Sequence, residues 1–153
     1  ASDVYKRQVY CSKEQDFSYN YMESIINIPW VNYLESIHNE ITGPVILNFP
    51  SFREKRDGTC RRARIMQMPL RPLVKEAELK TLGGTMMASV YHVGSLDTIG
   101  REYGKIEEWA SRKGYICGEE SFERYVVDYW TTRVSEEFVT EILVPVTRME
   151  ACR

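Results

Sequence analysis

Apolar residues in the second half of the chain follow an order typical of a small α+β unit. Residues 85–93 form a strand-like run of apolar and β-branched residues. Ser95 then begins a predicted helix, whose apolar positions recur at helical spacing until Gly114. Residues 122–130 and 138–146 are two further strand-like runs, joined by a short polar loop. Because these two strands are consecutive, we expect them to pair antiparallel as a hairpin.

The first half repeats this order of elements with weaker signals. A helix is predicted to begin at Pro29 and to end at Gly43-Pro44. Strands follow at residues 45–52 and 61–70, and a first strand is expected between residues 9 and 22. The inward positions predicted for the helix are Trp30, Tyr33, Leu34, Ile37 and Ile41.

The repeated order predicts an α+β fold of two tandem β-α-β-β modules within one domain, built on an antiparallel sheet with two long helices. The modules span residues 9–70 and 83–147, and residues 71–82 form the linker between them. We interpret residues 1–8 as a disordered segment or a fragment boundary, and residues 148–153 as a tail.

Glu141 interrupts the last predicted strand, which is otherwise an apolar run from Phe138 to Val146. A buried carboxylate usually has a cationic partner, a ligand or a catalytic task, because desolvating it alone is costly. The alternative is a strand with Glu141 on a solvated face, as is common in antiparallel sheets. Counting back from prolines that the two halves share places Ile65 opposite Glu141, so the carboxylate belongs to the second half alone.

The register of the last hairpin is not determined by the sequence, and a slip of one residue would exchange the faces of the strand. We predict that Glu141 shares its face with one set of residues from the preceding strand. That set is Glu123, Tyr125, Val127 and Tyr129. It would give aromatic walls and a second carboxylate around the same space.

Composition excludes several classes of protein. The 153 residues are 43% hydrophobic, enough for a core, and the net charge of −2 with no long basic run argues against direct nucleic-acid binding. The four cysteines lack metal-knuckle spacing and only two histidines are present, so we expect a reduced chain without a metal or cofactor. No membrane-spanning run or secretory signal is visible, which favours a cytoplasmic location.

Two segments carry a family resemblance: Ser121-Phe122-Glu123-Arg124-Tyr125, and the run from Thr140 to Val146 that follows an acidic loop. They resemble the GyrI-like small-molecule-binding domain, also known as the effector-binding domain of AraC- and MerR-type bacterial regulators. The resemblance covers roughly residues 84–147 by motif and the first half by architecture. It implies two modules related by a pseudo-twofold axis with a central ligand cleft. In multidrug-binding members a glutamate of the last strand meets lipophilic cations, and by motif position that glutamate is Glu141.

The resemblance implies a bacterial effector-binding domain for hydrophobic, often cationic, small molecules, rather than an enzyme. DNA would be contacted only through a fused helix-turn-helix domain absent from this chain, which is also the part through which a homodimer would form. One alternative is a stand-alone hydrolase of strained electrophilic natural products, with Glu141 as the catalytic residue. Another is a gyrase-inhibitor-like protein-binding module.

The predicted ligand-binding residues combine the two carboxylates with aromatic and thioether side chains, which suit a delocalised organic cation. They are Glu141, Glu123, Tyr125, Tyr91, Tyr103, Trp109, Tyr129, Trp30, Met66 and Met68. For the helix residues Tyr103 and Trp30, a packing role is the preferred interpretation.

Overall fold

The computed structural model of the chain describes residues 2–4, 6–72 and 77–150. Within these residues the chain forms nine strands and four α-helices. The strands are β1 (Ser2–Val4), β2 (Gln8–Asp16), β3 (Ile41–Phe49), β4 (Arg62–Pro69), β5 (Leu79–Leu82), β6 (Met86–Val93), β7 (Tyr115–Cys117), β8 (Ser121–Val127) and β9 (Val139–Arg148). The helices are α1 (Tyr21–Ile25), α2 (Ile28–Ser36), α3 (Phe52–Asp57) and α4 (Gly100–Lys113).

Eight strands form one antiparallel sheet in the order β1-β6-β9-β8-β3-β4-β2-β5, and β7 pairs with the end of β9. Strands β8 and β3 meet at its centre. Reading outward from that pair, β9 and β6 on one side match β4 and β2 on the other. This arrangement confirms the predicted α+β fold of two β-α-β-β modules, and it confirms the antiparallel β8–β9 hairpin.

The helices of the two modules differ in length. Helix α4 follows a 3-10 turn capped by Ser95 and ends at Gly114, whose φ of 76° is the left-handed conformation that favours glycine. Helix α2 is shorter than predicted, because His38 adopts a left-handed φ of 57° and the chain turns into β3. The side chain of Asn39 fixes that turn by accepting hydrogen bonds from the amides of Leu70 and Arg71. Gly43-Pro44 therefore lies inside β3 and does not end the helix.

Three further segments differ from the sequence prediction. The last four residues of the predicted linker form β5, which pairs with β2, whereas residues 73–76 lie outside the described residues. Residues 2–4 lie in the segment interpreted as disordered or as a fragment boundary, and they form β1, which pairs with β6. Helix α3 begins at the last residue of the predicted strand 45–52 and occupies most of the segment before the predicted strand 61–70. Ser51 caps it by accepting a hydrogen bond from the Glu54 amide at 3.1 Å, and Gly58 ends it with φ 75°.

The sheet is strongly curved, as two of its connections require. Strands β1 and β2 are six positions apart in the sheet, a distance of roughly 30 Å if it were flat. The chain between Val4 and Gln8 can span only about 15 Å. The connection from β5 to β6 poses the same constraint. The two edges of the sheet must therefore approach each other, and Gly83 of the second connection packs against the backbone of Lys6 from the first.

The two faces of the curved sheet are buried in different ways. One face, which we call the helix face, packs against α2 and α4 through residues such as Leu47, Ile65 and Ile142. The other, the concave face, has a small core of residues from central and edge strands. This core contains Ile46, Met66, Leu82, Met87, Phe122 and Leu143. Side chains on both faces are thus withdrawn from water. None of the helices in the described ranges has the length and apolar character needed to span a membrane.

Candidate functional site

A buried carboxylate, Glu123, lies at the centre of the helix face, on β8. Two tyrosine hydroxyls donate to it, that of Tyr103 at 2.6 Å from Oε2 and that of Tyr125 at 2.8 Å from Oε1. The ammonium group of Lys55 is 2.8 Å from the same Oε2, and neither charged side chain has any exposed surface. We call Glu123, Lys55, Tyr21, Tyr103 and Tyr125 the Glu123 cluster. Its members come from α1, α3, α4 and β8.

The Lys55 ammonium is surrounded by aromatic rings. Its nitrogen lies 4.8–5.3 Å from the ring centroids of four residues, within the range of cation–π attraction. These residues are Tyr19, Tyr21, Phe49 and Tyr103. The ammonium also donates a hydrogen bond to the Tyr21 hydroxyl. These four rings therefore form an aromatic cage that holds the Lys55 ammonium beside the Glu123 carboxylate.

Burial sets the protonation of the three tyrosines in the Glu123 cluster. Desolvation raises the pKa of Tyr21, Tyr103 and Tyr125 well above the ordinary value, and the negative charge of Glu123 raises it further. The three hydroxyls therefore stay protonated at neutral pH. Tyr103 and Tyr125 therefore retain the protons that their hydroxyls donate to the Glu123 carboxylate.

Cavities lie on two sides of the Glu123 cluster. The larger, of about 470 Å³, is walled by Tyr125, Trp30, Trp130 and aliphatic residues, and has the polar groups of Gln67 and Asp128 at its lining. The smaller, of about 290 Å³, is lined by Tyr19, Tyr21 and Lys55 among others. Pockets that take small molecules are commonly 300–1,000 Å³ and mostly apolar, so the larger cavity is of suitable size and character.

Asp128 contributes a carboxylate to the lining of the larger cavity. Its side chain is buried and accepts a hydrogen bond from the Trp130 amide at 2.9 Å. Burial raises the pKa of Asp128, because the charged form is desolvated. The indole of Trp130 in turn donates to the Ile25 carbonyl at 2.9 Å, which ties the loop after β8 to α1, and both residues line the cavity.

Glu141 does not share a face with Glu123, contrary to the sequence expectation. In the β8–β9 register Glu141 is opposite Arg124, and Glu123 is opposite Ile142. Glu141 therefore belongs to the concave face. Its carboxylate is 2.9 Å from the Arg124 guanidinium and accepts a hydrogen bond from the Ser89 hydroxyl at 2.9 Å. The aromatic cage instead surrounds Lys55, the partner of Glu123.

The matching of Ile65 with Glu141 is wrong for a related reason. Ile65 lies in the helix-face core together with Ile142, and Glu141 is on the other face. The two shared prolines therefore do not mark equivalent positions, and the alignment of the halves is displaced by one residue. In a strand, such a displacement reverses the side-chain direction of every position.

The structure also separates other predicted site residues from the Glu123 cluster. Tyr91 is the cross-strand partner of Glu141 and is 56% exposed. Met66 is in the concave-face core, and Met68 lies two positions further along β4. Trp109 stacks on Tyr115, with ring centroids 5.2 Å apart, and Tyr129 packs edge-on against Phe138. Of the predicted residues, Glu123, Tyr103 and Tyr125 meet in the cluster, and Trp30 lines the neighbouring cavity.

Sequence reasoning missed Lys55, the residue that pairs with Glu123. The local signal for its helix was present, because Ser51 and Glu54 have capping-box spacing and Gly58 follows at the expected end. That signal predicts a helix, but it does not show that a lysine within a charged segment points into the core.

An α+β domain with an apolar cavity beside a buried carboxylate has the features of a ligand-binding protein. The chain matches the model of the GyrI-like small molecule binding domain over residues 6–147, so it belongs to that family. Among curated proteins, no sequence matches the chain.

Several solved structures share the fold. The C-terminal domain of EcmrR is 18% identical with a TM-score of 0.78, and 97% of each chain is covered. EcmrR in its DNA complex is 17% identical with a TM-score of 0.76, and the match spans 97% of this chain but 57% of that one. A hydrolase from Listeria innocua is 10% identical with a TM-score of 0.66, and the match covers 96% of this chain and 91% of that one. SAV2435 bound to tetraphenylphosphonium is 12% identical with a TM-score of 0.60, and the match covers 96% of this chain and 93% of that one.

Proposed function

We propose that this domain is an effector-binding module for hydrophobic, cationic small molecules, with Glu123 as the residue that recognises positive charge. The observation that carries the proposal is the environment of Glu123. A fully buried carboxylate receives two tyrosine hydroxyls and lies beside an aromatic cage that already stabilises a cation, the Lys55 ammonium. Delocalised organic cations are weakly hydrated and bind well to such combinations of rings and carboxylate.

The larger cavity suits the apolar part of such a ligand. Its wall includes the rings of Trp30, Trp130 and Tyr125, and Tyr125 also contacts Glu123. A ligand in this cavity would lie one tyrosine away from the carboxylate. The buried Asp128 would place a second acidic group near a positive charge at the cavity lining.

Two structural neighbours support the proposal. SAV2435 has the same fold and binds tetraphenylphosphonium, a lipophilic cation. EcmrR, whose C-terminal domain is similar over nearly the whole of this chain, forms a complex with DNA. We therefore propose a regulatory setting, in which ligand binding to this domain is sensed by a DNA-binding part elsewhere in the protein.

Calorimetric titration of the domain with tetraphenylphosphonium and with the neutral triphenylphosphine oxide tests the proposal. In Glu123→Gln we expect the Kd for the cation to rise at least tenfold and the Kd for the neutral compound to change less than threefold. Glu141→Gln is the matched control, because it removes a buried carboxylate from the opposite face and should change neither Kd more than threefold. Equal losses for both compounds in Glu123→Gln would exclude charge recognition by this residue.

A second candidate function is hydrolysis of an electrophilic substrate, because a tyrosine hydroxyl could act as the acid and the Glu123 carboxylate, to which it donates, as the base. The fold similarity to a hydrolase from Listeria innocua is a second reason to test the domain for hydrolysis. Incubation with strained epoxide or cyclopropane compounds, followed by chromatography, should show turnover that Tyr103→Phe and Glu123→Gln abolish. We favour the binding function, because Lys55 already neutralises Glu123 as a base.

A further inference from the structure

We infer that Lys55 is a built-in competitor for the ligand: in the free domain its ammonium occupies the cation position beside Glu123, and a cationic ligand binds by displacing it. This inference rests on the proposed function of the Glu123 cluster. It assigns Lys55 the role of setting both the affinity and the selectivity of the site.

The geometry leaves no room for two cations at Glu123. Oε2 of the carboxylate already accepts the Tyr103 hydroxyl and lies 2.8 Å from the Lys55 nitrogen, and Oε1 accepts the Tyr125 hydroxyl. The rings that would surround a ligand cation, Tyr21 and Tyr103 among them, are those that surround the ammonium. Two positive charges in one dry cage repel strongly, because the low local dielectric does not screen them. Binding of a cation at Glu123 and occupancy by Lys55 are therefore mutually exclusive.

Lys55 has a short route out of the cage. It lies on α3, a helix of six residues that begins after Ser51 and ends at the left-handed Gly58. The residue also lines the smaller cavity of about 290 Å³, next to Arg56 and Asp57 near the surface. The ammonium is on a flexible four-carbon stem and is well hydrated once outside. The side chain can thus move outward while Phe52, whose ring is 5.4 Å from that of Tyr103, still anchors the start of the helix.

A tethered competitor selects ligands by charge distribution. The ammonium is present at a high effective concentration, so weak ligands do not displace it. A small, strongly hydrated cation gains nothing over Lys55, whereas a large delocalised cation adds apolar burial in the neighbouring cavity. Ligand occupancy would also be linked to the position of α3, which an ion pair between Arg56 and Glu107 joins to α4.

Replacement of the competitor tests the inference. We expect Lys55→Met to bind tetraphenylphosphonium at least tenfold more tightly than the unaltered domain in calorimetric titration, with less than threefold change for triphenylphosphine oxide. Arg53→Met is the matched control, because it removes one positive charge from an exposed position on the same helix and should change neither Kd more than threefold. If the unaltered domain binds tetraphenylphosphonium too weakly to measure, Lys55→Met should still show measurable binding.

A measurement on the unaltered domain covers the case in which Lys55→Met does not fold. Lysine acetylation by a water-soluble reagent, read by mass spectrometry, should leave Lys55 protected in the free domain and reactive at saturating tetraphenylphosphonium. Lys105, whose side chain is 63% exposed, should react equally in both states and serves as the internal standard.

The outcomes separate the two proposals. If the unaltered domain binds the cation in a Glu123-dependent manner, but Lys55→Met binds no tighter and Lys55 stays protected from acetylation, the competitor role is wrong and the proposed function stands. If neither the unaltered domain nor Lys55→Met binds the cation, the proposed function is wrong and the competitor role falls with it.

Discussion

Glu123 and Glu141 are two buried carboxylates on neighbouring strands of one sheet, and their surroundings differ. Glu123 is on the helix face, where its partner Lys55 has no exposed surface and aromatic rings enclose the pair. Glu141 is on the concave face, where its partner Arg124 keeps 38% of its side chain exposed. Burial alone therefore does not separate the two carboxylates. The enclosure of the cationic partner distinguishes the two.

The largest difference between the two carboxylates should appear in stability. We expect Glu123→Gln to lower the free energy of unfolding by about 3–5 kcal/mol, because it leaves the Lys55 charge buried without its partner. Glu141→Gln should cost about 1 kcal/mol, since Arg124 can turn toward water. Urea denaturation monitored by circular dichroism measures both. Similar losses for the two variants would show that their surroundings are energetically equivalent, and recovery of stability in the double variant Lys55→Met/Glu123→Gln would confirm the origin of the loss.

A second test asks whether the contact between the two connections at Gly83 and Lys6 holds the edges of the sheet together. A Cβ atom at Gly83, where φ is 99°, would lie 2.2 Å from the carbonyl oxygen of Lys6. We expect Gly83→Ala to cost about 2–4 kcal/mol, because it adds a steric clash to an unfavourable backbone conformation. Gly43→Ala is the control, since Gly43 also has positive φ but an open surrounding, and should cost about 1 kcal/mol. If both variants lose the same amount, contact between the two connections does not hold the edges together.

Removal of single hydroxyl groups sharpens the comparison further. We expect Tyr103→Phe and Tyr125→Phe each to cost about 1.5–2 kcal/mol, because each deletes a buried hydrogen bond to a charged group. Ser89→Ala, which deletes the hydroxyl that donates to Glu141, should cost about 0.5–1 kcal/mol on the more exposed side. Thermal and urea unfolding give these values, and a larger loss for Ser89→Ala would reverse the ranking of the two faces.

The smallest effect concerns alkaline pH. The raised pKa values of Tyr21, Tyr103 and Tyr125 mean that each contributes stability that is fully present below the unfolded pKa of about 10 and is lost as the pH rises through its folded value. At pH 10.5 each should account for a loss on the order of 1 kcal/mol. Unfolding free energies measured from pH 8 to 10.5 should fall less steeply in Tyr103→Phe. An unchanged slope would mean that this tyrosine ionises normally in the folded domain.

Local signals explain why much of the fold was predictable. Ser95 and Gly114 bracket the α4 region in the sequence, and the structure shows a capped 3-10 turn at one and a left-handed residue at the other. The consecutive runs that became β8 and β9 are joined by a short loop, so antiparallel pairing followed. In the first half, the end of α2 depends on Asn39, whose partners Leu70 and Arg71 are far along the chain, and local patterns do not contain that information.

The face of each carboxylate was not predictable for a similar reason. Both sides of β8 contain apolar residues, with Phe122 on one and Tyr125 on the other, so hydrophobic alternation did not select the register. The pairing with β9 also contains an irregularity between Tyr125 and Val127. The partner of Glu123 was still less accessible, because a lysine on a charged helix of one and a half turns has the sequence pattern of a surface residue.

The pairing of β1 with β6 constrains how the domain folds. Val4 pairs with Met86, so the first strand cannot be placed until the second module is available. The concave-face core likewise combines Ile46 and Met66 with Phe122 and Leu143 from the other half. Such contacts between distant parts of a chain raise the contact order and slow folding, because long loops must close before the contacts form. During synthesis, the first module would therefore wait with part of its apolar surface uncovered until the last strand leaves the ribosome.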